Sequence, residues 1–333
     1  MSKLPVLVGD IGGTNARFAL ADPGPKRPLI RDIVRLPTAD FASLQQAAGH
    51  YLAGLGVRPQ KAAIAVASPV RGDNIRLTNR AWSFNRSELA EALGLEQLHV
   101  LNDFGATARA VAALGPGEFE SINGPERTPL EAPISVIGAG TGLGMAMLVD
   151  CPAHQWRVVE TEGGHISYAP LGSEEQQIHQ WLAARHGRVS VERALSGSGL
   201  AKLHSALAGH PPGKRDLPDD KLRDPADIVA EAIAGEDRTA REALARFCAI
   251  FGSVAGDAAL IHGAATLAIA GGIVPRFIPF LQSSAFRERF LDKGRFAAHL
   301  EQVQIIVVTH PEPGLLGAAL CLIGSAQQEA NAP

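Results

Sequence analysis

Cysteine is scarce in this chain, with three residues in 333, at positions 151, 248 and 321. Separations of that size make neither a disulfide framework nor a zinc cluster, which favours a reducing compartment. An excess of one charge is missing too. Lys+Arg number 31 and Asp+Glu 34, for a net charge of −3, so there is no electrostatic footprint for a polyanion and nucleic acid is not expected as a partner. No apolar run is long and clean enough for a bilayer. The weakly polar stretch from Ala258 to Pro275 contains His262 and Gly271-Gly272 and predicts buried core instead. MSKLPVLVGD enters an apolar strand pattern without a charged-then-apolar leader, so the expectation is a cytoplasmic protein with no membrane partner. Repeats with a period of about 20 to 50 residues are absent, which excludes solenoids and propellers. Neither a G-x-S-x-G elbow nor an HExxH helix occurs, so covalent hydrolysis and zinc proteolysis have no support.

What the chain does have is glycine, 35 residues against an average of about 7%. Without low complexity, that excess points to backbone packed close to something. Val6 to Val8 run into Gly9-Asp10, then Gly12-Gly13-Thr14-Asn15, then the apolar run Phe18 to Ala21. The pattern predicts strand, glycine turn, strand. Ile134 to Ile137 repeat it through Gly138, Gly140-Thr141-Gly142 and Gly144 into Met145 to Val149, and two such hairpins suggest two related lobes. A third apolar run, Leu267 to Ala270, ends at Gly271-Gly272, and a helix is expected next. Further strands are expected at 62–67, 99–101 and 304–308. Apolar positions 244, 247, 251, 254, 255 and 258 follow a helical period. Strands alternating with helices predict an α/β architecture with mixed sheets. The proline-rich, charged segment 208–226 predicts a surface loop, with Asp224-Pro225 as the cap and first turn of the next helix.

Glycine turns at strand ends bring backbone N–H groups against an anion, with Thr14, Asn15 and Thr141 as added donors. Neither loop has the Gly-Lys-Ser/Thr ending of a P-loop. GAGTGLG also leads into a second strand, whereas the dinucleotide fingerprint needs a helix there. Either loop alone serves equally as a tight hairpin turn. Together, with Asp10 ending the first strand, they favour a nucleotide phosphate clamp. Asp10 could hold Mg²⁺ directly or through water, or simply form the turn. Asn102-Asp103 end the strand 99–101 and precede a predicted helix over 104–114. Either could be an ordinary N-cap, and a carboxylate at that place could also act as general base. Glu162-Gly163-Gly164-His165 is a polar turn or a hydroxyl-binding edge. Glu192 could be no more than a first-turn acid favoured by a helix dipole.

Taken in order, GDIGGTNARFAL, LNDFGATA, GAGTGLG, EGGH, ERALSGSGL, AGGIVPRF and DKGRF resemble the proteobacterial ATP-dependent glucokinases, through nearly the whole chain. The resemblance implies an actin-like, hexokinase-type fold of two ribonuclease-H-like lobes with a cleft between them. It implies a smaller lobe from 1–112 plus 313–333, with a returning final helix near 313–324, and a larger lobe from 113–312. Asp103 then matches the catalytic base, and Asn102, Glu162, His165 and Glu192 match sugar ligands. Asp10, Gly12, Gly13, Thr14 and Asn15, with Gly140, Thr141 and Gly142, match the phosphate segments. Gly271 and Gly272 match the adenosine segment. Glucose, ATP and Mg²⁺ are the implied ligands, Asp10 the metal residue, and a homodimer the implied assembly. The related zinc-containing repressor/kinase branch has a cysteine-rich motif that three scattered cysteines do not supply. Gly105 stands where the family pattern has threonine, and Asp257 where it has asparagine. A kinase for another hexose, a non-enzymatic sugar sensor and an actin-like filament protein are the competing readings.

Overall fold

The structure, a computed structural model, describes residues 4–24, 27–70, 72–77, 82–151, 155–213 and 222–330. In chain order its elements are β1 (Val6–Ile11), β2 (Asn15–Asp22), β3 (Leu29–Pro37), α1 (Leu44–Ala53), β4 (Lys61–Val66), β5 (Asn74–Arg76), β6 (Ser83–Asn85), α2 (Arg86–Leu93), β7 (Gln97–Asn102) and α3 (Asp103–Val111). Then come β8 (Phe119–Asn123), β9 (Ile134–Ala139), β10 (Leu143–Cys151), β11 (Gln155–Thr161), α4 (Gly172–His186), α5 (Gly197–Leu207), α6 (Pro225–Ala234) and α7 (Arg238–His262). The last are β12 (Thr266–Ala270), α8 (Ile278–Ser283), α9 (Phe286–Leu291), α10 (Ala297–Leu300), β13 (Gln304–Val308) and α11 (Pro313–Ala330). The class is mixed α/β. Contacts divide the chain into one unit of 1–115, 150–160 and 310–333, and a second of 116–149 and 161–309.

The first unit is built on a five-stranded sheet ordered β3-β2-β1-β4-β7. The expected hairpin is there, β1 antiparallel to β2, while β1, β4 and β7 run parallel. Because side chains alternate along a strand, the sheet has two unlike faces. Leu7, Ile11, Phe18, Leu20, Ile64 and Val66 face a core with Leu44, Ala48 and Leu52 of α1. On the other side Val8, Ala19, Ala21 and Ala63 meet Leu315, Ala318, Ala319 and Leu322 of α11, small residues that let a helix lie close.

A six-stranded sheet follows the order β11-β10-β9-β12-β13-β8. Here too the expected hairpin, β9 with β10, is antiparallel, and β12 runs parallel to both β9 and β13. Ile137, Leu267, Ile269, Ile305 and Val307 pack on Leu244, Phe247 and Phe251 of α7. Asp237 caps α7 at its start and left-handed Gly263 ends it. α7 is apolar and long enough to cross a membrane by composition, with mean hydropathy 1.6, but 72% of that window is buried inside the protein, as a core helix would be. The apolar stretch 258–275 is not one element, because it spans the end of α7, a turn and β12. Residues 1–3 of the N-terminal stretch expected to carry no leader, and 214–221 of the expected loop, lie outside the described residues. Asp224 does cap α6, its side chain accepting from the Ala226 amide, with Pro225 opening the first turn.

Candidate active site

In the first unit, the expected residues gather at the carboxyl ends of parallel strands, where open α/β sheets bind ligands. Ile11 of β1, Val66 of β4 and Asn102 of β7 stand in register. The glycine turn after β1 and the Asn102-Asp103 pair therefore share one sheet edge, two strand spacings or about 10 Å apart. Gly12, Gly13 and Thr14 form the β1–β2 turn, closed by the Gly12 amide donating to the Asn15 carbonyl at 2.9 Å. Thr38 braces it, its hydroxyl donating to the Gly13 carbonyl at 2.8 Å.

Asn102 and Asp103 both reach the first amides of the helix. Asn102 is the N-cap of α3, its Oδ1 accepting from the Phe104 and Gly105 amides, each at 3.0 Å. Its Nδ2 donates to the Ser68 carbonyl. Asp103 is the first helical residue, half-buried, and its Oδ1 also accepts the Phe104 amide, at 2.7 Å, so the two side chains share that amide. The helix it opens ends at Val111, earlier than the predicted 114, after which the chain turns. Gly105 departs from the family pattern, and the exposed Glu160 side chain lies over it, with Cδ and Cγ 3.0 Å from where a Cβ would stand.

Asp10 is paired with Arg17, Nη1 to Oδ2 at 2.9 Å. Burial pushes the Asp10 carboxyl above the usual range, and the Arg17 charge only partly offsets this. No motif in the sequence singles out Arg17, although the hairpin register puts it directly opposite Asp10, and opposite charges across a strand pair are a readable signal.

In the second unit the β9–β10 hairpin is the assembly point. Gly140, Thr141 and Gly142 form its turn, the Gly140 amide bonded to the Gly142 carbonyl at 2.8 Å. The Gly197 amide, at the start of α5, donates to the Gly140 carbonyl at 2.8 Å, a contact with no sequence signal. Gly271 follows β12 with φ +84°, and a Cβ there would collide with the Ala139 carbonyl. Only glycine meets both demands, so Gly271-Gly272 stand beside the hairpin turn. The segment after them is a 3-10 turn, Val274–Arg276, before α8 begins, not the immediate helix that the sequence predicts.

Glu192 is not in the first turn of an α-helix. It lies in the 3-10 turn Val191–Arg193, and its Oε2 accepts the Leu143 amide of β10 at 2.9 Å. Glu162 precedes the turn Gly163–His165 and His165 closes it, both exposed, with Oε2 and Nε2 4.0 Å apart. The Arg188 guanidinium holds this turn by donating to the His165 carbonyl at 2.6 Å. Asp257 is explained by its partner, since Lys293 Nζ pairs with its Oδ1 at 2.7 Å. Among the described residues no cluster of three or more His, Cys, Asp or Glu could hold a metal ion. A single carboxylate suffices only for a cation that keeps waters and takes phosphate oxygens, which is how Mg²⁺ is held.

Comparison with known proteins gives this geometry a family. The chain is 44% identical over 335 residues to the glucokinase of Xanthomonas oryzae pv. oryzae (strain MAFF 311018), covering 97% of this chain and 96% of that protein. It is 43% identical over 328 residues to the glucokinase of Xylella fastidiosa (strain 9a5c), covering 95% and 94%. The crystal structure of a glucokinase from an Antarctic psychrotroph matches with TM-score 0.82 at 38% identity, over 97% of this chain and 99% of that one. A ROK family glucokinase from Streptomyces griseus, solved with glucose and AMPPNP, matches at TM-score 0.67 and 21% identity over 95% and 98%, a likeness of fold alone. The fold in common is the two-lobe, actin-like one. Residues 7–325 match the glucokinase family, and the chain belongs to it.

Proposed function

We propose that this chain transfers the γ-phosphoryl group of ATP to the 6-hydroxyl of glucose, releasing glucose 6-phosphate and ADP. The observation that carries the reading is Asp103, a half-buried carboxylate that opens α3 directly after β7, beside the N-cap Asn102. Such a carboxylate can orient the hydroxyl and take its proton as it attacks. Phosphoryl transfer is otherwise positioning and charge stabilisation. Gly12, Gly13, Thr14 and Asn15 in one unit, and Gly140, Thr141 and Gly142 in the other, would offer amides and hydroxyls to phosphate oxygens. Gly271-Gly272 would lie against the adenosine. Asn102 through its Nδ2, with Glu162, His165 and Glu192, would bind sugar hydroxyls.

Mg²⁺ fits this set of residues. Asp10 offers a hard oxygen donor, and Arg17 does not supply all the positive charge its burial calls for. When bound, the cation would neutralise charge on the phosphates. We extend the reading to a smaller lobe from 1–112 plus 313–333, a larger lobe from 113–312, and a cytoplasmic homodimer.

ADP release from purified protein against a panel of hexoses, with and without Mg²⁺, tests it. Glucose-dependent release that stops with EDTA and returns with Mg²⁺ is expected. Faster turnover of another hexose would reassign the substrate, and sugar binding without ADP release would make the protein a sensor.

A further inference from the structure

Three charged residues form one row across the first sheet. Asp10 of β1 is the register partner of Arg17 of β2, and Arg17 is the register partner of Arg35 of β3. Directly opposed residues share a face, and two arginines side by side repel. A fourth residue lies over the row. Glu312, one residue before α11, has its Oε2 3.4 Å from Arg17 Nε and its Oε1 3.8 Å from Arg35 Nη2. It is only 16% exposed.

Arg17 is thus shared between two carboxylates, and unequally. Its Nη1 makes a 2.9 Å hydrogen bond to Asp10. Its Nε is buried and has no hydrogen-bond partner among the described residues, although Glu312 Oε2 is near. The charge contact exists and the angle does not. A buried donor left in this way is costly, and a small rotation of the guanidinium toward Glu312 would satisfy it at the expense of the bond to Asp10.

We propose that Glu312 is a positioning residue for the cation site at Asp10, accepting Arg17 when a divalent cation occupies that carboxylate. The inference rests on the assignment of Asp10 to Mg²⁺ made above. A cation and a guanidinium compete for one small carboxylate. Without an alternative acceptor, displacing Arg17 would leave a half-buried guanidinium, its Nε buried, unpaired beside Arg35. Glu312 removes that penalty, since it already balances both arginines and can take the Nε hydrogen bond. The exchange moves no proton. It is a choice between two ion pairs a few ångströms apart.

The test is metal affinity, read without turnover. Mn²⁺ is titrated into the full chain with saturating ADP, and bound metal is measured by electron paramagnetic resonance, with the melting temperature recorded for every variant. Glu312→Gln should raise the Mn²⁺ Kd about three- to fivefold, the scale of one partly exposed ion pair. Arg17→Met should lower it, because the competitor is gone. The double variant should match Arg17→Met, since Glu312 acts only through Arg17. Glu312→Asp, which keeps the charge, should recover part of the affinity. An unchanged Kd in Glu312→Gln, or the same rise with and without Arg17, overturns the inference. Asp10→Asn is the separate control on the assignment itself. If it leaves Mn²⁺ binding intact, Asp10 is not the cation residue and the inference falls with it.

Discussion

Glu192 Oε2 accepts the backbone amide of Leu143 at 2.9 Å, so a proposed sugar ligand is tied to the hairpin that carries a proposed phosphate loop. One carboxylate oxygen is committed to the scaffold and the other is left for a ligand. Glu192→Gln should expose this division of labour, because an amide accepts at only one atom and must choose. A hydrogen bond to a charged group is worth about 1.5 to 3 kcal/mol, so the glucose KM should rise by roughly ten- to a hundredfold. ATP affinity should change little. Steady-state kinetics in both substrates decide, and an unchanged glucose KM would remove Glu192 from the sugar site.

Asn102 and Asp103 should respond in opposite ways. Asp103→Asn should keep the fold and glucose binding while kcat falls by about 10² to 10⁴, the usual loss for a general base. Asn102→Ala should cost about 1 kcal/mol of stability through the lost cap. Coupled ADP release, calorimetry and thermal melts on the same preparations separate the two. A kcat for Asp103→Asn within about threefold of wild type, far short of losing a base, would show that the proton goes elsewhere.

Where α3 meets α11, a side chain at Gly317 would collide with the Ala106 carbonyl. No flexible group is there to yield, so Gly317→Ala must push the helices apart. Overpacking of this kind costs about 1 to 3 kcal/mol. The urea midpoint should fall, and kcat with it, because α3 begins at Asp103. A midpoint equal to that of wild type would contradict the packing.

Acid should find Glu175. Its carboxylate is fully buried and accepts from Tyr168 and Leu171, each at 2.9 Å, and from Arg289 at 2.7 Å, with Arg246 beside it at 3.2 Å. Burial alone would raise its pKa, but Arg289, the Leu171 amide and Tyr168 outweigh burial and hold it below the ordinary 4.5. A depressed carboxyl adds stability above its unfolded value and loses it as pH falls through the folded one. The gap in melting temperature between wild type and Glu175→Gln should therefore be wide and level near neutrality and close below about pH 4.5. A gap that does not vary with pH would mean that the charge of Glu175 contributes nothing.

Much of this site is legible in the amino-acid sequence, because its parts are local. A strand, a glycine turn and a second strand are neighbours along the chain, and both hairpins lie where the pattern puts them. The edge strand β3 carries no such signal, since most of its residues are exposed and no apolar alternation marks it. Asn102 and Asp103 are ambiguous for a different reason. Both residue types cap helices, and here both side chains accept the Phe104 amide. Contacts between distant segments leave no trace at all. Nothing in the spacing of Leu143 and Glu192 or of Gly140 and Gly197 brings them together, and the packing of Glu160 over Gly105 is equally unsignalled.

The alanine face of the first sheet also bears on how the chain emerges from a ribosome. Its strands are complete by Asn102, while the helix that covers Val8, Ala19, Ala21 and Ala63 does not begin until Pro313. At about 5 to 20 residues per second, the face waits roughly ten to forty seconds for its cover. A face of leucine and isoleucine would offer much more apolar area to neighbouring nascent chains over that interval. Three of its four buried sheet residues are alanine, with Val6, Ile30 and Leu101 only partly buried beside them, so it has less to adhere with, and the late arrival of α11 becomes more tolerable.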